Sequence, residues 1–162
     1  MANLGIGTNT FWGANIFTAS ATGELGAVGF YANSLSTAYT IQIYTGVAAG
    51  APGSGTLVAT STGTSAYPGY CIVNLDTPVA LTQGQRFSIV LRLTTPGYHY
   101  PLPIEYAVSG YSSAATAGQS FYSVAGISWY DLASWNPTAN FCIKGFSGNR
   151  PHRSRPLRHR RC

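Results

Sequence analysis

The sequence predicts an all-β fold, an antiparallel β-sandwich of jelly-roll type built from about nine short strands. Three observations carry that expectation. Apolar residues alternate with polar ones at period two in one segment after another. Turn-forming residues separate these segments at regular intervals. The 19 glycines and 9 prolines in 162 residues also leave little room for long helices.

The clearest segment is Arg86–Leu93, in which Phe87, Ile89, Leu91 and Leu93 share one face and Arg86, Ser88, Val90 and Arg92 the other. Successive side chains in a strand point to opposite sides, so one face is expected in the core. Tyr39–Tyr44 repeats the pattern, with Tyr39, Ile41 and Ile43 together. Tyr70–Leu75 does so with Cys71, Val73 and Leu75. Further strands are expected at Asn15–Thr18, Leu25–Tyr31, Leu57–Thr60, Glu105–Val108, Ser120–Val124 and Phe141–Phe146. Between them, Gly50–Gly55 reads as a loop, and Ala66–Gly69 and Thr82–Gln85 as tight turns. Thr95-Pro96-Gly97 ends the Arg86–Leu93 strand. Tyr98–Pro103, with two prolines, is not expected to form a central strand. Ser112–Gly118 reads as a loop.

Charge divides the chain. Six of its nine basic residues, Arg150, Arg153, Arg155, Arg158, Arg160 and Arg161, fall in the last thirteen positions. Without them, three cations face four carboxylates, so the formal charge of +5 becomes −1 for the body. The expected organisation is a lead-in at 1–13, a sandwich at 14–146 and a disordered arginine-rich tail at 147–162. The tail alone would suit a polyanion, and the near-neutral body argues against a nucleic-acid partner. Only 8% of residues are charged, against about 25% in typical soluble domains, and a hydroxyl-rich, charge-poor surface is the habit of extracellular β-proteins. No apolar run approaches the roughly 18 residues of a membrane span. The start, Met-Ala-Asn-Leu-Gly, has no signal-peptide character, so either export would be directed by a sequence outside this chain or the chain would be a module of a longer protein.

Catalytic chemistry finds little support. The body has one histidine, His99, and scattered carboxylates at Glu24, Asp76, Glu105 and Asp131. HExxH, GxSxG and P-loop patterns are all missing, so the chain is not expected to be an enzyme. Asp76, Glu105 and Asp131 are candidate oxygen ligands for a structural calcium, or else strand-end and turn-capping carboxylates. Cys71, Cys142 and Cys162 have no metal-ligand spacing. Cys71 and Cys142 would either pair in an oxidising compartment or stay reduced as small core hydrophobes.

Aromatics are the richer resource: eleven Tyr, seven Phe and three Trp. Many fall in or near loops. Exposed Tyr and Trp rings offer a flat apolar face and a polar edge, suited to stacking on sugars or anchoring a protein. They also suit capping the ends of a core, and both readings stand. The candidate ligand-binding residues are Tyr98, His99, Tyr100, Tyr111, Trp135 and Asn136.

A family resemblance runs from Ala14 to Phe146. It is carried by Ala14–Ala19 (ANIFTA), Leu25–Tyr31 (LGAVGFY), Tyr44-Thr45-Gly46, Gly69-Tyr70 and Leu75–Leu81 (LDTPVAL), then by Gly84–Val90 (GQRFSIV) and Pro103–Tyr106 (PIEY). Gly118–Phe121 (GQSF), Trp129–Leu132 (WYDL) and Asn140–Phe146 (NFCIKGF) complete it. These pieces resemble the lectin-like β-domain found C-terminal to papain-like cysteine peptidases of bacteria and archaea. The resemblance implies a non-catalytic β-sandwich appended to an exported peptidase, at the cell surface or outside the cell. The expected function is an accessory binding module that contacts carbohydrate, glycoprotein or cell-envelope material through loop aromatics. The alternative is a structural domain that packs on the peptidase or a neighbouring domain and takes no glycan. The peptidase's own catalytic residues are not in this sequence, and the tail lies outside the resemblance.

Overall fold

The computed structural model describes residues 2–111 and 115–148. The arginine-rich segment from 149 onward, Cys162 and part of the Ser112–Gly118 loop lie outside the described residues.

The fold is all-β, and among the described residues twelve strands form three antiparallel sheets. In chain order they are β1 (Ala2–Leu4), β2 (Thr10–Thr18), β3 (Gly23–Ala32), β4 (Thr37–Thr45), β5 (Thr56–Ser65), β6 (Gly69–Leu81) and β7 (Arg86–Thr94), followed by β8 (Leu102–Glu105), β9 (Ser120–Ser123), β10 (Tyr130–Asp131), β11 (Asn140–Phe141) and β12 (Lys144–Ser147). A six-stranded sheet runs β10-β9-β2-β7-β4-β5. Two three-stranded sheets, β12-β3-β6 and β1-β8-β11, complete the sandwich.

The period-two pattern builds the core as expected. Ile41 and Ile43 of β4 and Ile89, Leu91 and Leu93 of β7 are fully buried. They meet Phe30 and Val28 of β3, Cys71 and Leu75 of β6, Leu102 and Ile104 of β8, and Phe141. Each such side chain stabilises the fold by about 1.5–3 kcal/mol relative to an exposed one.

Several details differ from the sequence reading. Strand β7 is buried on both faces in its middle: Ser88 and Val90 are buried too. It lies between β2 and β4, and the Gly50–Gly55 loop covers its far side, with Ser88 Oγ donating to Pro52 O at 2.6 Å. Strand β8 includes Pro103 and is the middle strand of its sheet, contrary to expectation. The proline is tolerated because β11 reaches only Glu105 and Ile104, so at Pro103 the sheet is two strands wide, with Asn3 opposite. The segment expected as one strand at Phe141–Phe146 splits at Cys142-Ile143. Its first half joins β8 and its second half joins β3. The stretch read as a lead-in holds β1 and the start of β2, and the last sheet extends to Ser147, with Gly148 N donating to Glu24 O at 2.8 Å.

Cys71 and Cys142 are buried free thiols, so the disulfide alternative does not apply here. Burial pushes the Cys142 thiol up to about 11, with the Glu105 charge adding to it and Lys144 opposing. This thiol therefore stays protonated at neutral pH.

Candidate functional site

The end of β8 organises the site. Glu105 lies opposite Asn140 of β11, and from there the chain turns out through Tyr106 and Ala107. Ala107 N donates to Thr138 Oγ1 at 3.0 Å, which ties this exit to the loop after β10. Val108 and Tyr111 then close a tight turn by exchanging backbone hydrogen bonds of 3.0 and 2.9 Å. The turn needs Gly110, whose φ of +83° is the left-handed conformation that side-chain-bearing residues avoid. This closed turn fixes Tyr111 at the surface, 53% exposed, with its hydroxyl donating to Glu105 Oε2 at 3.3 Å. The Glu105 negative charge holds the Tyr111 phenol above its ordinary value of 10. Glu105, Tyr106, Val108 and Tyr111 line an open cleft of about 380 Å³.

Trp135 reaches the same region from the other side. A short 3-10 turn, Leu132–Ser134, is anchored by the fully buried Leu132 and capped by Asp131, whose Oδ1 accepts from Ala133 N at 2.9 Å. Trp135 follows it, 54% exposed, with its ring perpendicular to that of Tyr106 at 6.1 Å between centroids. Such edge-to-face pairs are a favoured aromatic arrangement. Tyr106 thus links the Trp135 ring to the cleft that it lines with Glu105 and Tyr111, and these four residues make up one belt.

The expected site residues divide between two places. Tyr111 and Trp135 lie at the belt. Asn136 neighbours it, but its Oδ1 accepts from both Thr138 N (2.9 Å) and Thr138 Oγ1 (2.8 Å) and so shapes the loop. Tyr98, His99 and Tyr100 lie on the loop between β7 and β8. Tyr98 Oη accepts from Asn3 Nδ2 at 2.7 Å, the Tyr98 and Tyr100 rings meet edge to face at 6.0 Å, and His99 is exposed. Asn33 Nδ2 fixes this loop through the carbonyls of Tyr100 and Pro101. No hydrogen bond or ring contact among the described residues joins the two groups. Tyr106 and Val108 are additions to the expected set. Their signal was the run Glu105-Tyr106-Ala107-Val108, which places an acid and a ring at a strand end.

The three carboxylates considered for calcium are not brought together. Asp131 caps the 3-10 turn and accepts from Gly118 N at 2.7 Å, Glu105 serves the cleft, and Asp76 is exposed on β6. Among the described residues no three His, Cys, Asp or Glu side chains cluster as metal ligands. Trp129 is half-buried, with its indole nitrogen against the Gly53 loop. Trp12 carries Arg92 over its ring at 5.6 Å.

A second aromatic surface lies on the outer face of β12-β3-β6. The Tyr70 and Phe146 rings lie over Gly29 of β3, where a β-carbon would run into both. Tyr31 meets Tyr70 at 4.8 Å, and Ile72, paired with Gly29, is 50% exposed.

Comparison with known proteins follows this geometry. A solved structure of the cysteine protease and lectin-like domains of Cwp84, a surface layer associated protein of Clostridium difficile, is similar over 85% of this chain with a TM-score of 0.69 at 24% identity. A structure of the clostridial cysteine protease Cwp84 after propeptide cleavage is similar over 86% of it, with a TM-score of 0.70 at the same identity. The likeness is one of fold, and this chain spans 32% and 36% of those chains. A search of curated proteins gives no match. The family model of the lectin-like domain matches residues 1–147, nearly the whole described body, and the chain therefore belongs to the lectin-like domain family.

Proposed function

We propose that this domain is a non-catalytic accessory module that holds an exported cysteine peptidase on carbohydrate of the cell envelope. The observation that carries the reading is the belt at the end of β8, where Glu105, Tyr106, Val108 and the half-exposed Tyr111 line a cleft and the half-exposed Trp135 packs edge to face on Tyr106. Rings held edge to face keep their orientation and offer flat surfaces to a pyranose, while the carboxylate and phenol supply polar contacts. The peptidase partner and the cell-surface location are supported by Cwp84, in which a lectin-like domain shares a chain with a cysteine protease in a surface layer associated protein. The test is a glycan array and retention on envelope polysaccharides, with and without calcium. Trp135→Ala is expected to weaken retention about tenfold, the loss of roughly 1.4 kcal/mol of ring contact. Silence of the parent protein under both conditions removes this reading.

A specific observation favours a second reading, in which the domain packs against the peptidase and takes no glycan. The outer face of β12-β3-β6 presents Tyr70 and Ile72 of β6 and Phe146 of β12 to solvent, the kind of patch that marks a protein contact. In that case Ile72→Asp abolishes pull-down of the cognate peptidase domain and leaves glycan retention unchanged. Equal capture by parent and variant excludes this face as the contact.

A further inference from the structure

We propose that the outer edge of β5 pairs with the same edge of a second copy of this chain, antiparallel and two-fold about Thr62, so that two six-stranded sheets join into one.

The contrast between β5 and the other sheet edges carries the argument. Among the described residues, β5 (Thr56–Ser65) ends its sheet and pairs with β4 on one side. A terminal strand presents a row of backbone N–H and C=O groups to any strand that comes beside it. Proteins blunt such edges by keeping them short, charged or interrupted by proline. The other edges follow that rule. Strands β10 and β11 are two residues long, and β1 is three. Strand β12 has four residues and begins at Lys144, and β6 carries Asp76 and Pro78. Strand β5 has ten residues with no charge and no proline. Its one irregularity is Val58, which is left over where the register with β4 shifts. A bulge of this kind bends one end of an edge and leaves Ala59–Ser65 in regular register.

The residues of that stretch are complementary to themselves. Ser61 is the register partner of the fully buried Ile41, so Ala59, Ser61, Gly63 and Ser65 lie on the side that faces the core. Thr60, Thr62 and Thr64 lie on the other side and are exposed. An antiparallel pair centred on Thr62 sets this residue against its own copy and sets Thr60 against the partner's Thr64. Every threonine of the exposed row then faces a threonine, a favourable cross-strand combination, and no like charges are opposed. Two-fold pairs in which each copy offers the same patch are also the commonest assemblies of soluble proteins. The pairing does not depend on what the β8 cleft binds. Where that cleft takes a polymer, two copies offer two clefts and gain avidity without any new ligand contact.

The experiment is sedimentation velocity of the full chain from about 1 μM to about 1 mM at near-physiological salt, with amide exchange read at both ends of that range. The dimer fraction is expected to rise with concentration, and exchange is expected to slow in β5 and at no other sheet edge. Thr62→Lys and Thr62→Glu each oppose like charges on the two-fold axis. Each is expected to weaken the dimer about tenfold or more, with an unchanged melting temperature because the side chain is exposed. An equal mixture of the two variants opposes unlike charges and is expected to dimerise at least as well as the parent. A parent that stays monomeric throughout overturns the proposal. So does protection that appears on another strand, or a dimer that both variants form as readily as the parent. A mixture as weak as either variant alone overturns the register centred on Thr62. Protection of β5 that appears only when the peptidase domain is added overturns self-pairing and gives the edge to the peptidase. The exchange measurement is made on the parent protein, so its outcome stands even if a variant misfolds.

Discussion

Asn15→Leu is expected to lower the unfolding free energy by about 3 kcal/mol or more, because it leaves several buried polar groups without partners at about 1–3 kcal/mol each. Asn15 is 1% exposed, in the middle of β2. Its Nδ2 donates to Phe141 O at 3.1 Å and Ile143 O at 3.4 Å, and its Oδ1 accepts from Ser120 Oγ at 2.7 Å. Ser120 Oγ also lies 2.6 Å from Asn140 Oδ1 and accepts from Phe141 N at 3.3 Å. One amide thus holds the break where the chain leaves β11 and re-enters the opposite sheet as β12. Phe141 O also accepts from Ile143 N at 2.8 Å, and the side chain ties this carbonyl to that of Ile143 across the break. Leucine matches asparagine in size but offers no donor or acceptor. Urea unfolding monitored by tryptophan fluorescence measures the loss. Ser120→Ala is expected to cost less alone, and the double variant less than the sum, since both remove the same network. A loss below about 1 kcal/mol for Asn15→Leu would show that water replaces the amide there.

The same junction shows what the sequence made legible. Strands β4, β6 and β7 followed from alternation alone, because each has at least one face in the core and the pleat has period two. The turns at Thr82–Gln85 and Thr95–Tyr98 followed from local chemistry, and each closes with its own backbone hydrogen bond. Asn15 was part of the family resemblance, but its role was not readable, because its partners are 105 to 128 residues away in sequence. The split of β11 from β12 was hidden for a related reason. Phe141–Phe146 read as one strand, and the break at Cys142-Ile143 is set by which sheet each half reaches. Pro103 misled because the rule against proline in central strands presumes two full neighbours, and β11 is two residues long.

At the site, exposure was partly legible and assembly was not. Trp135 and Tyr111 read as surface rings because they follow turn-forming residues, and both are exposed. Asn136 read equally well as a ligand contact, yet the residue two positions on takes its acceptor, a local bond the pair Asn136-Pro137 favours. Glu105 read either as a calcium ligand or as a strand-end carboxylate, because carboxylate chemistry alone does not say what surrounds it. Its aromatic surroundings come from the turn at Val108–Tyr111 and, through Tyr106, from a loop 30 residues further on.

Phe141→Ala is expected to cost about 3–5 kcal/mol, the range for deleting a buried ring, and to lower the melting temperature by roughly 6–20 °C. Phe141 is 1% exposed, and its ring lies with Leu102 over the β2 backbone at Gly13. A void of about 10 Å³ already lies beside it, lined by residues including Phe30, Leu102, Cys142 and Ile143. Removing the ring enlarges that void in a region where short strands cannot shift to fill it, so little of the cavity term is recovered. The loss should reach the site as well. Strand β11 consists of Asn140 and Phe141 only, and Asn140 is the register partner of Glu105. Loosening Phe141 therefore loosens the carboxylate that faces the cleft. At a temperature where the variant is still folded, amide exchange is expected to rise first across β8 and β11, while β4 and β7, which carry most of the fully buried aliphatic residues, stay protected. Uniform exchange across all strands would mean that β11 unfolds only with the whole sandwich, and that the cleft is as rigid as the core beneath it.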